Sequence, residues 1–224
     1  MVLEPGQVTE TSLQIAVVLF PRVTALDAIG PYEILQRLPG ATVTFVGHRR
    51  GEVRTENGFL GLSIDQTFED VVAPDVVVVP GGVGSRALLE DEVALGWLRG
   101  AHRTTRFTTS VCTGSLILAA AGLLEGLSAT THWENLDDLA KLGAVPTSDR
   151  VVEHLDRRIV TAAGVSSGID MALRLAELLT DRVTAQAMQL ITEYDPQPPF
   201  NAGSPAAAGP EVVARAKEIG LLKD

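Results

Sequence analysis

Apolar residues along the chain occur in short runs, most clearly within positions 13 to 20 and 75 to 79. Runs of this length are typical of strands that are buried on both faces. Elsewhere the apolar positions recur at helical spacing, as they do over residues 86 to 104 and 167 to 179. Strands that alternate with helices indicate right-handed βαβ units. We therefore predict an α/β fold with a doubly wound, mostly parallel sheet flanked by helices.

The same two patterns predict the remaining elements. Further strands are expected over residues 42 to 46, 59 to 64 and 106 to 111, and a hairpin over 151 to 153 and 158 to 162. Further helices are expected over residues 32 to 38, 114 to 124, 184 to 193 and 209 to 222. No repeat or linker divides the chain. We expect a single domain over residues 1 to 224, with residues 1 to 11 as a flexible tail.

Composition narrows the class of protein. Hydrophobic residues make up 46% of the chain and charged residues 21%, which is ordinary for a globular protein. The net charge of −10 argues against a nucleic-acid surface, which needs clustered Lys and Arg. The first apolar run is too short to span a membrane. One cysteine excludes an intrachain disulfide and is compatible with a reducing compartment. We expect a cytoplasmic protein with neither nucleic-acid nor membrane partners.

Three distant segments are predicted to meet at one edge of the sheet. Asp27, the Gly81-Gly82 turn and Cys112 each follow a predicted strand. In a doubly wound sheet, ligands bind beyond the carboxyl ends of the strands. This edge is therefore the candidate active site.

Cys112 lies between a strand and a helix in Ser110-Val-Cys-Thr-Gly114. Small flanking residues at such a turn are typical of a nucleophile elbow. The helix N-terminus that follows is expected to lower the pKa of the thiol. The alternative is that Cys112 only packs in the core.

Backbone amides near the cysteine are candidate donors to a developing negative charge. The amide of Thr113 is one candidate, and that of Gly82 or Val83 is the second. The alternative is that the glycines only end a strand tightly. Gly82 also begins a nominal dinucleotide fingerprint, but the next strand ends in Val111-Cys112 without the acid that would hold a ribose. We expect no cofactor.

Asp27 is the candidate acid, because a buried carboxyl beside the thiol would exchange a proton with it. Its alternative role is a helix N-cap. Of the four histidines, His132 is the one placed near the predicted site, either paired with Cys112 or purely structural. No histidine or carboxylate spacing is typical of a metal site, so no metal is inferred.

With these residues assembled, the chain resembles the ThiJ/PfpI superfamily, which has a flavodoxin-like, class I glutamine amidotransferase-like fold. The resemblance runs from about residue 15 to residue 205. Within it, the segments are most similar to those of the isocyanide hydratases. The matching segments are Leu19-Phe-Pro21, Leu26-Asp27, Gly30-Pro31, Pro80-Gly-Gly82, Ser110-Val-Cys-Thr-Gly-Ser-Leu116, Ala120-Ala-Gly-Leu-Leu124, Ala129-Thr-Thr-His-Trp133, Gly168-Ile-Asp170 and Pro199-Phe-Asn-Ala-Gly-Ser-Pro205.

The resemblance implies hydration of a small-molecule isocyanide to an N-substituted formamide. Cys112 would attack the terminal carbon, Asp27 would deliver a proton, and water would hydrolyse the resulting thioimidate. Thr113 would position Asp27 or the intermediate, and Val165 would lie beside the substrate. The chain departs from the family's pattern at Ala162-Ala163-Gly164, where a more glycine-rich turn is expected. The family also implies a homodimer.

Two rival functions stay open. The same cysteine would serve glyoxalase-like hydration of 2-oxoaldehydes through a hemithioacetal. The motif around Cys112 also resembles the sensor half of AraC-type regulators, which favours a redox or ligand sensor. No helix-turn-helix segment follows the last predicted helix in the 224 residues, which weakens that reading.

Overall fold

The chain folds around a central sheet, and the computed structural model describes residues 12 to 222. Its strands are β1 (Leu13–Val18), β2 (Ala41–Gly47), β3 (Gly51–Arg54), β4 (Gly61–Ile64), β5 (Gln66–Thr67), β6 (Val76–Val79), β7 (Phe107–Val111), β8 (Ser128–Ala129), β9 (Val145–Pro146), β10 (Val151–His154) and β11 (Ile159–Ala162). Its helices are α1 (Ala25–Leu35), α2 (Ser85–Leu88), α3 (Glu92–His102), α4 (Gly114–Ala120), α5 (Leu136–Lys141), α6 (Ser167–Leu179), α7 (Arg182–Ile191) and α8 (Pro205–Glu218), with a 3-10 turn at Trp133–Asn135.

Seven strands form the central sheet in the order β10-β11-β7-β6-β1-β2-β5. Every neighbouring pair is parallel except β10 and β11, which form the antiparallel hairpin that the sequence predicts. Strands β3 and β4 form a separate antiparallel hairpin, and β8 pairs with β9. The predicted doubly wound, mostly parallel α/β fold is confirmed.

The middle of the sheet is buried on both faces. All four valines of β6 have no exposed surface, which explains why that strand is a continuous apolar run. One group of packed helices is formed by α1, α6 and α7, and a second by α2, α3, α4 and α5. Both groups pack against strands of the central sheet.

Helix α1 begins seven residues earlier than expected. The sequence indicated a helix from Tyr32, because Gly30 and Pro31 are helix breakers. The helix instead includes both residues and carries Asp27 in its first turn. A Cβ at Gly30 would lie 3.2 Å from Ile169 Cγ1, so the glycine allows α1 to pack closely on α6. Tertiary packing therefore overrides local propensity here.

Two other expectations need correction, and one strand was not anticipated. The helix expected over residues 86 to 104 is two helices, because the Asp91 side chain caps α3 by accepting hydrogen bonds from the amides of Val93 and Ala94. Strand β3, the partner of β4, was not predicted. The last helix begins at Pro205 and is kinked at Gly209, which has a φ of 78°.

No described helix is long and apolar enough to cross a membrane. The expected flexible tail at residues 1 to 11 lies outside the described residues.

Two helical glycines give a matched test of the packing. A Cβ at Gly114, which begins α4, would collide with the carbonyl oxygen of Val79, whereas one at Gly96 in α3 would meet only Arg99 Nη2 at 3.9 Å. We expect Gly114→Ala to lower the free energy of unfolding by about 2 kcal/mol. Gly96→Ala should raise it by about 0.5–1 kcal/mol. Urea unfolding followed by tryptophan fluorescence measures both, and equal effects would contradict the packing of α4 on β6.

Candidate active site

Cys112 follows β7 in a left-handed backbone conformation, with a φ of 56°. That conformation is strained for a residue with a side chain, and such strain persists only where its surroundings fix it. The Cys112 amide donates to the carbonyl oxygens of Ala162 and Ala163 at 3.1 and 2.9 Å. Its own carbonyl accepts from the hydroxyls of Ser115 and Thr131 at 3.1 and 3.0 Å. The adjacent strand, helix and loop therefore hold the sharp turn.

The turn after β6 presents three consecutive amides, each bound to a side-chain oxygen from another segment. The Gly81 amide donates to Asp27 Oδ2 at 2.9 Å. The Gly82 amide donates to Thr113 Oγ1 at 2.9 Å. The Val83 amide donates to a carboxylate oxygen of Glu56, also at 2.9 Å. We call residues 81 to 83 the amide turn. Through it, segments that are distant in the sequence make direct hydrogen bonds at the predicted edge of the sheet.

Glycine is required in the amide turn because other chain segments approach it closely. A Cβ at Gly81 would lie 2.5 Å from Thr113 Oγ1 and 3.0 Å from Asp27 Oδ2. Gly82 has a φ of 126°, which is open to glycine but not to L side chains. The two glycines therefore do more than end a strand, since they let the backbone reach the carboxyl.

Thr113 acts on Asp27 indirectly. Its hydroxyl oxygen accepts from the Gly82 amide and from the Ser85 hydroxyl at 3.0 Å, and its hydroxyl donates to the Gly82 carbonyl at 3.3 Å. Thr113 therefore fixes the amide turn at Gly82, and the neighbouring amide of the same turn, that of Gly81, holds Asp27. Ser85, fully buried behind Thr113, was missed by the sequence analysis.

The expectation that the Gly82 or Val83 amide supplies a free donor needs correction. Both amides are already hydrogen-bonded, to Thr113 and Glu56 respectively. The amides of Thr113 and Val165 act on the Cys112 thiol. A role for the Thr113 amide as a donor to the substrate stays a prediction. Val165 has a φ of 35°, an uncommon conformation for a β-branched residue. Gly82 and Val83 lie in the lining of the Cys112 pocket.

Asp27 is completely buried, and this burial raises the pKa of its carboxyl from 3.8 to about 7. The Gly81 amide and the Cys112 thiol partly offset the rise, and the charge of Glu56 adds to it. Asp27 Oδ1 is buried and makes no hydrogen bond to another described residue. A carboxyl with one unsatisfied oxygen is suited to hold and deliver a proton near neutral pH.

Burial also raises the pKa of the Cys112 thiol, and the charge of Asp27 raises it further. The amides of Val165 and Thr113 lower it by less. The expectation that the helix N-terminus lowers this pKa is therefore wrong, because desolvation and a neighbouring carboxylate outweigh the amides. The two groups titrate as a pair that holds one proton above about pH 7.

His132 lies at the wall of the same pocket. Its ring fits against Gly164, where a Cβ would lie 2.6 Å from His132 Cδ2. Its Nδ1 is 3.5 Å from a carboxylate oxygen of Glu134. Within the Ala162-Ala163-Gly164 turn, position 164 is therefore the one at which a side chain would collide with the His132 ring. A role for His132 in the chemistry stays a prediction.

The Cys112 pocket has a volume of about 370 Å³. Glu56 and Arg86 lie at it, and so do residues 220 to 222, which follow the last helix. None of these residues was predicted at the site, because no sequence pattern links the β3–β4 turn or the C-terminal helix to Cys112. A larger cavity of about 680 Å³ shares His132 and Val165 with this pocket.

Within residues 12 to 222, no group of three or more His, Cys, Asp or Glu side chains is arranged to hold a metal ion. The expectations that neither a metal nor a cofactor takes part stay predictions.

Residues 13 to 178 match the model of the DJ-1/PfpI family. The chain belongs to the DJ-1/PfpI family. It is 47% identical over 207 residues to the isonitrile hydratase of Pseudomonas putida, covering 92% of this chain and 90% of that protein. The crystal structure of a ThiJ/PfpI family protein from Pseudomonas syringae superposes with a TM-score of 0.87 at 36% identity, covering 98% of this chain and 92% of that one. The predicted family membership is confirmed.

A second kind of relative in the family is longer. The HTH-type transcriptional regulator GbdR of Pseudomonas aeruginosa is 31% identical over 164 residues, which is 70% of this chain. The match covers 43% of that regulator. The similarity to regulators therefore concerns less than half of their length.

The burial of Asp27 predicts a pH-dependent cost to stability. Because its folded-state pKa of about 7 exceeds 3.8, the carboxyl stabilises the fold fully below about pH 4 and loses that contribution as the pH rises through about 7. We expect Asp27→Asn to gain stability relative to the native chain between about pH 4 and pH 8, by up to roughly 4 kcal/mol. Urea unfolding across this range measures it. Asp156→Asn, in the exposed turn after β10, controls for the loss of one negative charge, and a flat difference for Asp27→Asn would contradict the burial argument.

Proposed function

We propose that the protein is an isocyanide hydratase that adds water to an isocyanide and releases an N-substituted formamide. The observation that carries the proposal is the amide turn, whose neighbouring amides hold the buried Asp27 carboxyl and Thr113, the residue that follows the buried Cys112. The 47% identity to an isonitrile hydratase over most of both chains supports the same reaction.

The placement of an acid and a thiol in one buried site fits the way an isocyanide reacts. Addition to R–N≡C places both the nucleophile and the proton on the same terminal carbon. A thiol and a carboxyl that face the same site are placed to serve that one carbon.

The first step begins from the pair with one proton. That proton moves from the Cys112 sulfur to Asp27, and the amides of Thr113 and Val165 stabilise the thiolate. The thiolate forms a bond to the isocyanide carbon, and Asp27 gives its proton to that carbon. The product is a thioimidate, R–N=CH–S–Cys112, beside an ionised Asp27. The charge of the site stays at −1 throughout, so no further charge is buried.

The second step returns the pair to its starting state. Water adds to the thioimidate carbon, with one of its protons going to the nitrogen and the other to Asp27. Collapse breaks the carbon–sulfur bond, releases R–NH–CHO and restores the thiolate. The cysteine therefore divides one hydration into two additions, and neither requires a cofactor.

The rival functions have less support. No contact in the pocket favours a 2-oxoaldehyde over an isocyanide. The similarity to the regulator GbdR is the observation that favours a sensor function. However, burial raises the pKa of Cys112, whereas redox-sensing thiols have a low pKa and are accessible.

The proposal is tested by assaying the purified protein with p-nitrophenyl isocyanide and with methylglyoxal. We expect formamide from the first and no appreciable turnover of the second. Cys112→Ala should abolish formamide formation, because the covalent step is lost. Asp27→Asn should lower kcat by roughly 100-fold or more, because Asn cannot donate the proton. Formamide production by Cys112→Ala, or none by the native chain, would overturn the proposal.

We further propose that the chain forms one domain and assembles as a homodimer in the cytoplasm, where a lone cysteine stays reduced. An exposed apolar stripe on α7 supports assembly. Val183, Leu190 and Ile191 are 73%, 81% and 72% exposed in the single chain. Apolar side chains clustered in this way are typical of a protein–protein interface.

Light scattering coupled to gel filtration tests the assembly. We expect twice the 23.7 kDa mass of one chain. Leu190→Glu should reduce the mass to that of one chain, because it places a charge in the stripe. Val72→Glu, which changes another exposed valine outside α7, is the control and should leave the dimer intact. A single-chain mass for the native protein would refute the dimer, and a dimeric Leu190→Glu would refute this face.

A further inference from the structure

Glu56 differs from the other charged side chains at the Cys112 pocket. Arg86 is paired with Asp138 at 2.9 Å, and His132 lies beside Glu134. In the part of the chain that the structure describes, Glu56 has no ion pair, and its recorded hydrogen bond is to an uncharged group, the Val83 amide. Its charge therefore acts on whatever enters the pocket.

The β3–β4 turn holds Glu56 in place. The Thr55 amide donates to the Leu60 carbonyl at 3.0 Å, and the Gly58 amide donates to the Thr55 carbonyl at 2.9 Å. Thr55 also pairs with Val23, in the segment that leads into α1 and Asp27. The carboxylate is thus fixed from two sides, by its own turn and by the amide turn.

The amide turn also links Glu56 to the reacting pair. Its three consecutive amides hold Asp27, Thr113 and Glu56 in sequence. The negative charge of Glu56 acts to raise the pKa of Asp27. Glu56 and Cys112 line the same pocket, so the charge of Glu56 also acts on a ligand that approaches Cys112.

We propose that Glu56 selects substrates by charge at the Cys112 pocket, favouring neutral isocyanides over isocyanides that carry a carboxylate. The substrate class rests on the proposed function, whereas the charge selection does not. Because Glu56 is exposed, solvent and salt screen its field, so the discrimination is modest and depends on ionic strength.

Alkylation of Cys112 tests the charge selection without any assumption about the reaction. Cys112 is the single cysteine of the chain, so mass spectrometry reports modification at one thiol. Iodoacetamide is neutral and iodoacetate is an anion of similar size. We expect Glu56→Gln to lower the iodoacetamide-to-iodoacetate rate ratio by about threefold, because the glutamine keeps an oxygen for the Val83 amide but removes the charge. Glu69→Gln, an exposed carboxylate after β5, is the control and should leave the ratio unchanged.

Salt and pH provide two further readouts. In about 1 M sodium chloride, where the Debye length is about 3 Å, the native ratio should approach that of Glu56→Gln. The groups that act on Asp27 are Cys112, the Gly81 amide and Glu56. Removing the Glu56 charge lowers the pKa of Asp27, so the rise of iodoacetamide alkylation with pH should move to lower pH in Glu56→Gln. An unchanged ratio and an unchanged pH profile would overturn the inference.

Turnover of two isocyanides then tests the substrate class. Relative to the native protein, Glu56→Gln should raise the ratio of kcat/KM for isocyanoacetate to kcat/KM for p-nitrophenyl isocyanide about threefold. If neither isocyanide is hydrated by the native protein but the alkylation ratio changes, the proposed function fails and the charge selection stands. If both are hydrated and the ratio does not change, only the charge selection fails.

Discussion

A buried carboxyl and a buried thiol held in one site are the constraint on which this site's chemistry depends. Neither Asp27 nor Cys112 ionises freely, because each is enclosed by apolar structure and each disfavours the charge of the other. One negative charge on the pair is tolerated near neutral pH, and two are not. Backbone amides stabilise the charge on either group. The Gly81 amide of the amide turn binds the Asp27 carboxylate, and the amides of Thr113 and Val165 stabilise the Cys112 thiolate.

Holding the pair requires strained backbone, and the sheet supplies the rigidity. Cys112 and Val165 both have positive φ angles, which β7, β11 and the helices behind them keep in place. The Cys112 amide and carbonyl make hydrogen bonds to three separate elements, so relaxation of the turn would break several at once. Local strain of this kind is typical of functional sites in an otherwise regular fold.

The sequence predicts the location of the site better than its electrostatics. Strand ends placed Asp27, Gly81 and Cys112 at one edge, because parallel topology dictates where carboxyl ends meet. The start of α1 was wrong because the fit of Gly30 against Ile169 is a tertiary contact that no local pattern shows. The prediction of a lowered pKa for the Cys112 thiol was wrong for a related reason. The helix N-terminus is visible in the sequence, but the depth of burial that outweighs it is not.

The position of Glu56 likewise could not be predicted from local sequence patterns. It belongs to a hairpin whose first strand lacks a strong apolar pattern, so neither the strand nor the turn was predicted. Its position follows from the pairing of Thr55 with Val23, a contact between segments 32 residues apart. Because that segment leads directly into the helix that carries Asp27, the hairpin and the acid are positioned together. The contacts that place the Glu56 charge at the pocket are therefore continuous with those that bury Asp27. A neutral substrate enters without electrostatic repulsion from either carboxylate.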